Sequence, residues 1–180
     1  MHNSRLEAAT ALFIRRWGEM GASWGISRTM AEIHALLFLT TEPLCTDDIM
    51  ERLQVSRGSA STNLRQLVNW GLIYRVHQRG DRKEYFEAEH DVWQMFEIIT
   101  RERSRREVQP IVETIEKCLE MISQDGDAET TPRAEAARRR MAAMHDFFST
   151  MNRLFNLMVK VGPRGLSPMT RAIEKLQRLA

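Results

Sequence analysis

Apolar positions recur with helical spacing through most of the chain, and the clearest case is the stretch that ends at Gly71. Ala60, Leu64 and Leu67 occur at i, i+4 and i+7, which places them on one face of a helix. Ser56 before this stretch is a good N-cap, and glycine is the residue type that most often ends a helix in a left-handed conformation. The pattern predicts a helix between these two signals with a narrow buried face.

The opposite face of this predicted helix is polar but has no acidic side chain. Ordinary solvated helix faces mix glutamate with lysine, because opposite charges three or four positions apart stabilise a helix. Hydroxyl, amide and guanidinium groups are instead the groups that contact phosphates and base edges of DNA. The face comprises Gly58, Ser59, Ser61, Thr62, Arg65 and Asn69. We predict that it belongs to the recognition helix of a helix-turn-helix.

The residues before this helix complete the motif. Thr46 is a candidate N-cap of a short helix, and Asp47 and Asp48 lie in its first turn, where the helix dipole favours negative charge. A turn of three residues at positions 54–56 then leads into the recognition helix. Two short helices joined in this way have the spacing of a DNA-binding helix-turn-helix.

Two stretches rich in β-branched and aromatic residues follow, at residues 72–77 and 83–88. The Arg-Gly-Asp-Arg sequence at 79–82 lies between them and is typical of a turn. The pattern predicts a β-hairpin with a cationic tip, so the fold class is mainly α with a small β wing, as in a winged helix-turn-helix. The predicted DNA contacts are Ser56, Arg57, Gly58, Ser59, Ser61, Thr62, Arg65, Asn69, Arg79, Gly80, Arg82 and Lys83.

Positive charge is concentrated in this region. Residues 49–83 carry a net charge of +5, because seven arginine and lysine side chains outnumber two acidic ones, whereas the whole chain is +2. A local surface charge of this sign attracts a polyanion. Double-stranded DNA is therefore the predicted partner.

Two further apolar stripes predict long helices outside the winged helix. The first is rich in aromatic side chains and either packs within the subunit or meets a second copy across a dimer axis. Its members are Leu6, Ala9, Phe13, Trp17, Met20 and Trp24. The second alternates spacings of four and three, which is typical of a coiled-coil seam. Its members are Met141, Met144, Phe148, Met151, Phe155 and Met158.

Prolines and glycines interrupt the C-terminal pattern. Pro110 lacks the N–H group of a helical hydrogen bond and predicts a kink or break in a helix over residues 91–124. Gly162 and Pro163 end the seam helix, and Ser167 opens a last one. The predicted regions are an N-terminal dimerisation helix (1–26), the winged helix-turn-helix (27–90) and a C-terminal helical dimerisation region (91–180).

Composition excludes several other classes of protein. With 43% hydrophobic and 28% charged residues the sequence is typical of a soluble globular domain. No stretch approaches the roughly 20 apolar residues that cross a bilayer, and no signal sequence is apparent, so we expect a cytoplasmic protein without membrane contact. Cys45 and Cys118 lack metal-ligand spacing, and each is more simply a small buried side chain than a redox sensor.

Motifs of catalysis are missing from the sequence. It has no phosphate-binding glycine loop, no nucleophile elbow and no metalloprotease helix. His34 and His145 have no cysteine or histidine partner at metal-ligand spacing, so we expect both to be structural. The sequence therefore predicts no enzyme, no cofactor and no metal site.

The winged-helix residues resemble the MarR superfamily. The resemblance is carried by Val-Ser-Arg-Gly-Ser-Ala-Ser at 55–61, Leu-Arg at 64–65 and Trp-Gly-Leu-Ile at 70–73. Gly-Asp-Arg-Lys-Glu-Tyr-Phe-Glu-Ala-Glu at 80–89 and Asp-Val-Trp at 91–93 resemble its GbsR branch more narrowly. The resemblance implies a bacterial dimeric transcriptional regulator. It also implies control by a small molecule, with a link to choline and glycine betaine metabolism in some members.

Aromatic residues offer a candidate effector site between the dimerisation region and the winged helix. Aromatic faces around a cavity can bind a quaternary ammonium compound through cation–π attraction. The candidates are Trp17, Trp24, Tyr74, Trp93 and Phe96. The alternative is that these rings only pack in the core.

Together these observations predict a sequence-specific DNA-binding transcriptional regulator, with repression as the favoured mode. As a homodimer it would bind a pseudo-palindromic operator, because two-fold symmetry in the protein is matched in the DNA. The alternative is a winged helix that serves as a protein-interaction module, since fold alone does not determine function. The charge of the recognition face and of the wing tip favours DNA.

Overall fold

Helices make up most of the described residues, and three short strands among them pair into one antiparallel sheet, which confirms the predicted fold class. The computed structural model describes residues 2–124 and 131–177, with side chains for residues 4–123, 131–157 and 159–162. It contains two compact units, Met1–Ile98 and Ile99–Ala180. The elements are α1 (His2–Ser23), α2 (Arg28–Leu39), β1 (Leu44–Cys45), α3 (Thr46–Leu53), α4 (Arg57–Trp70), β2 (Ile73–Val76), β3 (Tyr85–Ala88), α5 (Val92–Arg103), a π-helical segment (Ser104–Val108), α6 (Gln109–Gln124) and α7 (Pro132–Gln177).

The core of the first unit forms around α2. Ile33 and Leu37 of this helix are fully buried, together with Ile49 of α3, Leu67 of α4 and Ile73 of β2. Helix α2 packs against α1, α4 and β3, which explains why its sequence is apolar on most sides. Burying one such side chain contributes roughly 1.5–3 kcal/mol, so this cluster holds the helices of the winged helix in place.

Helices α1 and α2 lie close together because Gly18 and Gly21, which have no side chain, lie where the two helices touch. A Cβ atom at Gly21 would lie 2.6 Å from the Cβ of Ala31. One at Gly18 would lie 2.6 Å from the Cγ of Glu32. Both distances are shorter than van der Waals contact, so a larger residue at Gly21 would push the two helices apart.

The wing has shorter strands than predicted, and one strand more. Strand β3 lies between β1 and β2 and is antiparallel to both. Strands β2 and β3 pair from Ile73 with Ala88 to Val76 with Tyr85, so each has four residues instead of six. Strand β1 (Leu44–Cys45) was not predicted, because two residues are too few to show an alternating pattern.

Cap residues confirm two predicted helix ends and correct a third. Ser56 accepts a hydrogen bond from the backbone N–H three residues further on, and Gly71 ends α4 with a left-handed φ of 82°. The prediction of Thr46 as an N-cap is wrong, because Cys45 is held extended in β1 and α3 starts directly after it. The Asp48 carboxylate accepts the Cys45 backbone N–H at 2.9 Å. Hydrogen bonds from the side chain and backbone of Cys45 lower the pKa of Asp48.

In the second unit the helix changes its hydrogen bonding just before Pro110. The N–H of Gln109 donates to the carbonyl of Ser104, five residues back, which is the π-helical pattern. The break expected at Pro110 therefore takes the form of a wider turn, after which α6 continues. Two side-chain contacts join this part of the chain to α7. Ser104 Oγ donates to Asn152 Oδ1 at 2.6 Å, and His145 Nε2 lies 3.0 Å from a carboxylate oxygen of Glu116 on α6.

Helix α7 is interrupted at the predicted position. The backbone of Gly162 has φ 58° and ψ −172°, which no helix contains. The helical backbone resumes directly after Gly162 and not at Ser167, so the predicted start of the last helix is wrong. The proline that follows Gly162 has a fixed φ suited to the first turn of a helix, which explains the immediate restart.

Candidate nucleic-acid interface

One face of α4 is exposed along the whole helix. Gly58, Thr62, Arg65 and Asn69 follow one another at spacings of four, three and four, so they lie in one line, and all four are exposed. The opposite face is buried in the core through residues that include Leu67. The exposed line presents a hydroxyl, a guanidinium and an amide. At Gly58 the surface is open, because an added Cβ would meet nothing within 4 Å.

Two predicted contacts of α4 lie on the flanks of this line. Ser59 is half-buried, and its carbonyl and hydroxyl oxygens lie 2.8 and 3.4 Å from the amide nitrogen of the buried Asn63. Ser61 is also half-buried, and its carbonyl accepts the Nε–H of Arg65 at 3.3 Å. Gln66 is an exposed flanking residue that was not among the predicted DNA contacts. An exposed glutamine is ordinary on any solvated helix, so no sequence signal distinguishes it.

Asp81 holds the tip of the wing. Its two carboxylate oxygens accept the backbone N–H of Lys83 at 3.0 Å and the hydroxyl of Tyr85 at 2.7 Å. The hydrogen bond from Tyr85 lowers the pKa of Asp81 and raises the pKa of Tyr85 to about 12. The turn therefore has a defined shape around its cationic side chains. The predicted wing contacts, all of them exposed, are Arg79, Gly80, Arg82 and Lys83.

An acidic residue lies among the predicted DNA contacts. The carboxylate of Asp47, in the first turn of α3, accepts Arg57 Nη2 at 2.6 Å and faces Lys83 Nζ at 3.4 Å. Arg57 begins the recognition helix and Lys83 precedes β3, so this carboxylate connects three elements. This arrangement is not apparent in the sequence, because the three residues are far apart in the chain.

The predicted effector residues all lie in the first unit, and the described ring contacts join only two of them. They are Trp17, Trp24, Tyr74, Trp93 and Phe96. Trp93 and Phe96 meet edge to face with 6.1 Å between ring centroids. Trp17 instead stacks on a phenylalanine of its own helix. The Tyr74 hydroxyl donates to Glu89 at 2.8 Å. The role of these rings in binding an effector stays a prediction.

The described part of the chain holds neither a metal site nor a membrane-spanning helix. Among residues 2–124 and 131–177, no three histidine, cysteine, aspartate or glutamate side chains are grouped as a metal site requires. No helix within these ranges is long and apolar enough to cross a membrane. Both cysteines are free thiols, Cys45 buried and Cys118 half-buried.

This interface lies in the part of the chain that is similar to known proteins. A family model described as the MarR family matches residues 24–84, which begin directly after α1 and end in the wing. The HTH-type transcriptional repressor GbsR of Bacillus subtilis (strain 168) is 30% identical over 112 residues, which are 62% of each protein. The putative HTH-type transcriptional regulator YvaV of the same organism is 24% identical over 91 residues, 51% of each protein. These matches confirm the predicted resemblance to the MarR family and its GbsR-like branch.

The extent of these matches is limited. The chain spans 62% of the length of GbsR and about half of the length of YvaV. One solved structure, described as a transcriptional regulator, is similar over 84% of this chain and 96% of its own, with a TM-score of 0.58 and 22% identity. At that identity the similarity demonstrates a shared fold.

Proposed function

We propose that this chain, which matches the MarR family model over residues 24–84, is a sequence-specific DNA-binding transcriptional regulator, with repression as the favoured mode. The observation that carries the proposal is the exposed line of Gly58, Thr62, Arg65 and Asn69, which has no carboxylate. Helix α4 enters the major groove with this line towards the base edges. The N-terminus of the helix, capped by Ser56, approaches a phosphate.

Arg65 is the central contact in this proposal. An arginine that binds guanine through two hydrogen bonds discriminates against other bases by ~1–3 kcal/mol. The side chain is exposed and near the middle of the line, and its one described hydrogen bond is to a carbonyl of its own helix. The wing arginines, Arg79 and Arg82, bind the adjacent groove or its phosphates.

Replacement of Arg65 by alanine tests the proposal. Genomic fragments selected for binding, beginning with DNA upstream of the gene itself, supply the operator, and a scrambled duplex supplies the reference. We expect Arg65→Ala to weaken operator binding roughly 5- to 150-fold for each half-site, and scrambled-DNA binding much less. Arg15→Ala, an exposed arginine on α1, is the matched control. Equal losses on both duplexes would contradict base recognition, and wild-type protein that binds neither duplex would favour a protein-interaction module.

We propose further that the regulator acts as a homodimer. Helix α7 exposes a series of large apolar side chains that its packing against α6 leaves uncovered, and α1 exposes Leu6 and Leu12. Those on α7 are Met144, Phe147, Leu154, Phe155 and Leu157. Apolar patches of this kind on a soluble protein mark an interaction surface. A second copy would cover them and would place two recognition helices on half-sites about 10 base pairs apart or a multiple of that.

Sedimentation distinguishes the dimer from the monomer. The wild-type protein is expected to sediment as twice 20.9 kDa at micromolar concentration. Phe147→Glu with Leu154→Glu should shift it towards the monomer, whereas the exposed Arg139→Glu should leave it dimeric. A wild-type protein of 20.9 kDa under these conditions would contradict the proposal.

Control by a quaternary ammonium effector is the last part of the proposal. It is supported by the resemblance to the GbsR branch and by the aromatic pair Trp93 and Phe96, which is partly exposed. An effector changes DNA binding only if it prefers one state of the dimer, and a tenfold change needs about 1.4 kcal/mol of preference. Choline and glycine betaine are titrated while tryptophan fluorescence and operator affinity are followed. No response in either signal at millimolar concentration would eliminate these two ligands.

A further inference from the structure

The Asp47 carboxylate lies where a DNA-binding surface is expected to be cationic. It contacts Arg57 at 2.6 Å and Lys83 at 3.4 Å, and both are among the predicted DNA contacts. All three side chains are at least half exposed. The two cations belong to the start of the recognition helix and to the wing, which are the two parts of the fold that would meet DNA.

Stability does not explain this arrangement. Exposed ion pairs contribute about 0–1 kcal/mol, because water already solvates both charges and the side chains lose freedom. Asp47 has a larger effect on the binding of a polyanion such as DNA than on stability. A carboxylate held between two cations cancels one positive charge of the surface, and it occupies N–H donors for which a phosphate must compete.

This competition affects two kinds of complex differently. Binding to DNA of arbitrary sequence rests almost entirely on neutralised phosphates, so it gains from each free cation. Binding to an operator also uses base contacts, which require the recognition helix and the wing to be held in fixed positions. Asp47 contacts both the recognition helix and the wing. It therefore weakens binding to DNA of arbitrary sequence and supports binding to an operator.

We infer that Asp47 is a specificity-determining positioning residue that holds Arg57 and Lys83 together and lowers the affinity for DNA of arbitrary sequence. This inference rests on the proposed function. Asp47→Asn keeps the size of the side chain and removes its charge. We expect it to raise the affinity for a scrambled duplex roughly fivefold or more at 0.1 M salt, and to steepen the slope of log affinity against log salt by about one for each subunit that contacts the DNA. Operator affinity should stay constant or fall, so the ratio of operator to scrambled affinity decreases.

Glu51→Gln is the matched control, because Glu51 is an exposed acid on the same helix α3. It should change the ratio and the salt slope less than Asp47→Asn does. In a background of Arg57→Gln with Lys83→Gln, Asp47→Asn should no longer change the ratio, since its two partners are missing.

The outcomes separate this inference from the proposed function. A wild-type protein that does not discriminate between operator and scrambled duplex overturns the proposed function itself. If the wild type discriminates but Asp47→Asn leaves the ratio and the salt slope unchanged, or matches Glu51→Gln, only the role of Asp47 is overturned. Circular dichroism and urea unfolding of each variant confirm that the comparison is between folded proteins.

Discussion

His34 should make the stability of the protein depend on pH between 7 and 5. The side chain is 3% exposed on α2, with the rings of Trp17 and Phe38 each 6.3 Å away between centroids. Its Nε2 atom has no hydrogen-bond partner among the described residues. Burial in this apolar setting lowers the pKa of His34 from 6.5 to about 4, because the charged form cannot be solvated there.

The sign and size of the effect follow from this pKa. Between the unfolded pKa of 6.5 and the folded pKa of about 4, the unfolded chain binds a proton that the folded chain does not. The contribution of His34 to stability is therefore complete above pH 6.5 and is lost as the pH falls towards 4. Each pH unit in this range costs about 1.4 kcal/mol, so acidification from pH 7 to pH 5 should cost ~2 kcal/mol.

Urea unfolding at pH 7, 6 and 5, at one protein concentration, measures this loss. His34→Leu removes the titrating group and leaves no unpaired nitrogen in the core. Between pH 7 and pH 5 its unfolding free energy should therefore fall by ~2 kcal/mol less than that of the wild type. His77→Gln, an exposed histidine, is the control and should follow the wild type. The lowered pKa values of Asp48 and Asp81 affect stability only below about pH 4, outside this window. Equal losses in the wild type and in His34→Leu would refute the reasoning.

Two further substitutions separate stability from DNA binding on α4. Gly58→Ala should raise the unfolding free energy by roughly 0.5–1 kcal/mol, because the added Cβ meets nothing and alanine favours a helix. The same variant should weaken operator binding if the DNA backbone approaches this residue, and unchanged affinity would show that it does not. Ser56→Ala should lower the unfolding free energy by about 1 kcal/mol through loss of the N-cap hydrogen bond, measured against Thr62→Ala, which should shift it by less than about 0.5 kcal/mol.

The recognition helix was predictable because its signals are local. The cap at Ser56, the buried line that includes Leu64 and Leu67, and the stop at Gly71 all lie within one helix length. Each signal constrains the backbone next to it, so the sequence alone defines both the ends and the buried face. For this reason the structure of α4 agrees with its prediction at both ends and on the buried face.

Features that depend on distant residues were not predictable. Strand β1 forms only because β3 passes beside it, with Leu44 paired with Phe86. The charge count of the sequence treats Arg57 and Lys83 as free cations, whereas the fold brings Asp47 to both of them. The apolar spacing of α7 indicated a seam, but it did not show which positions α6 covers.

The π-helical segment Ser104–Val108 also determines how the chain tolerates changes of length. A π-helical turn contains one residue more than the α-helical turn that it replaces, so the segment is equivalent to a one-residue insertion in a continuous helix. Each residue of an α-helix rotates the following side chains by about 100°. Because the π-helical turn absorbs its extra residue, deleting one residue after Ser104 within the segment would leave an ordinary α-helical turn with the flanking helices in register. Ser104 and Glu116 would then keep their partners Asn152 and His145 on α7. A one-residue insertion, which this single wider turn does not absorb, would instead rotate Glu116 by about 100° away from His145.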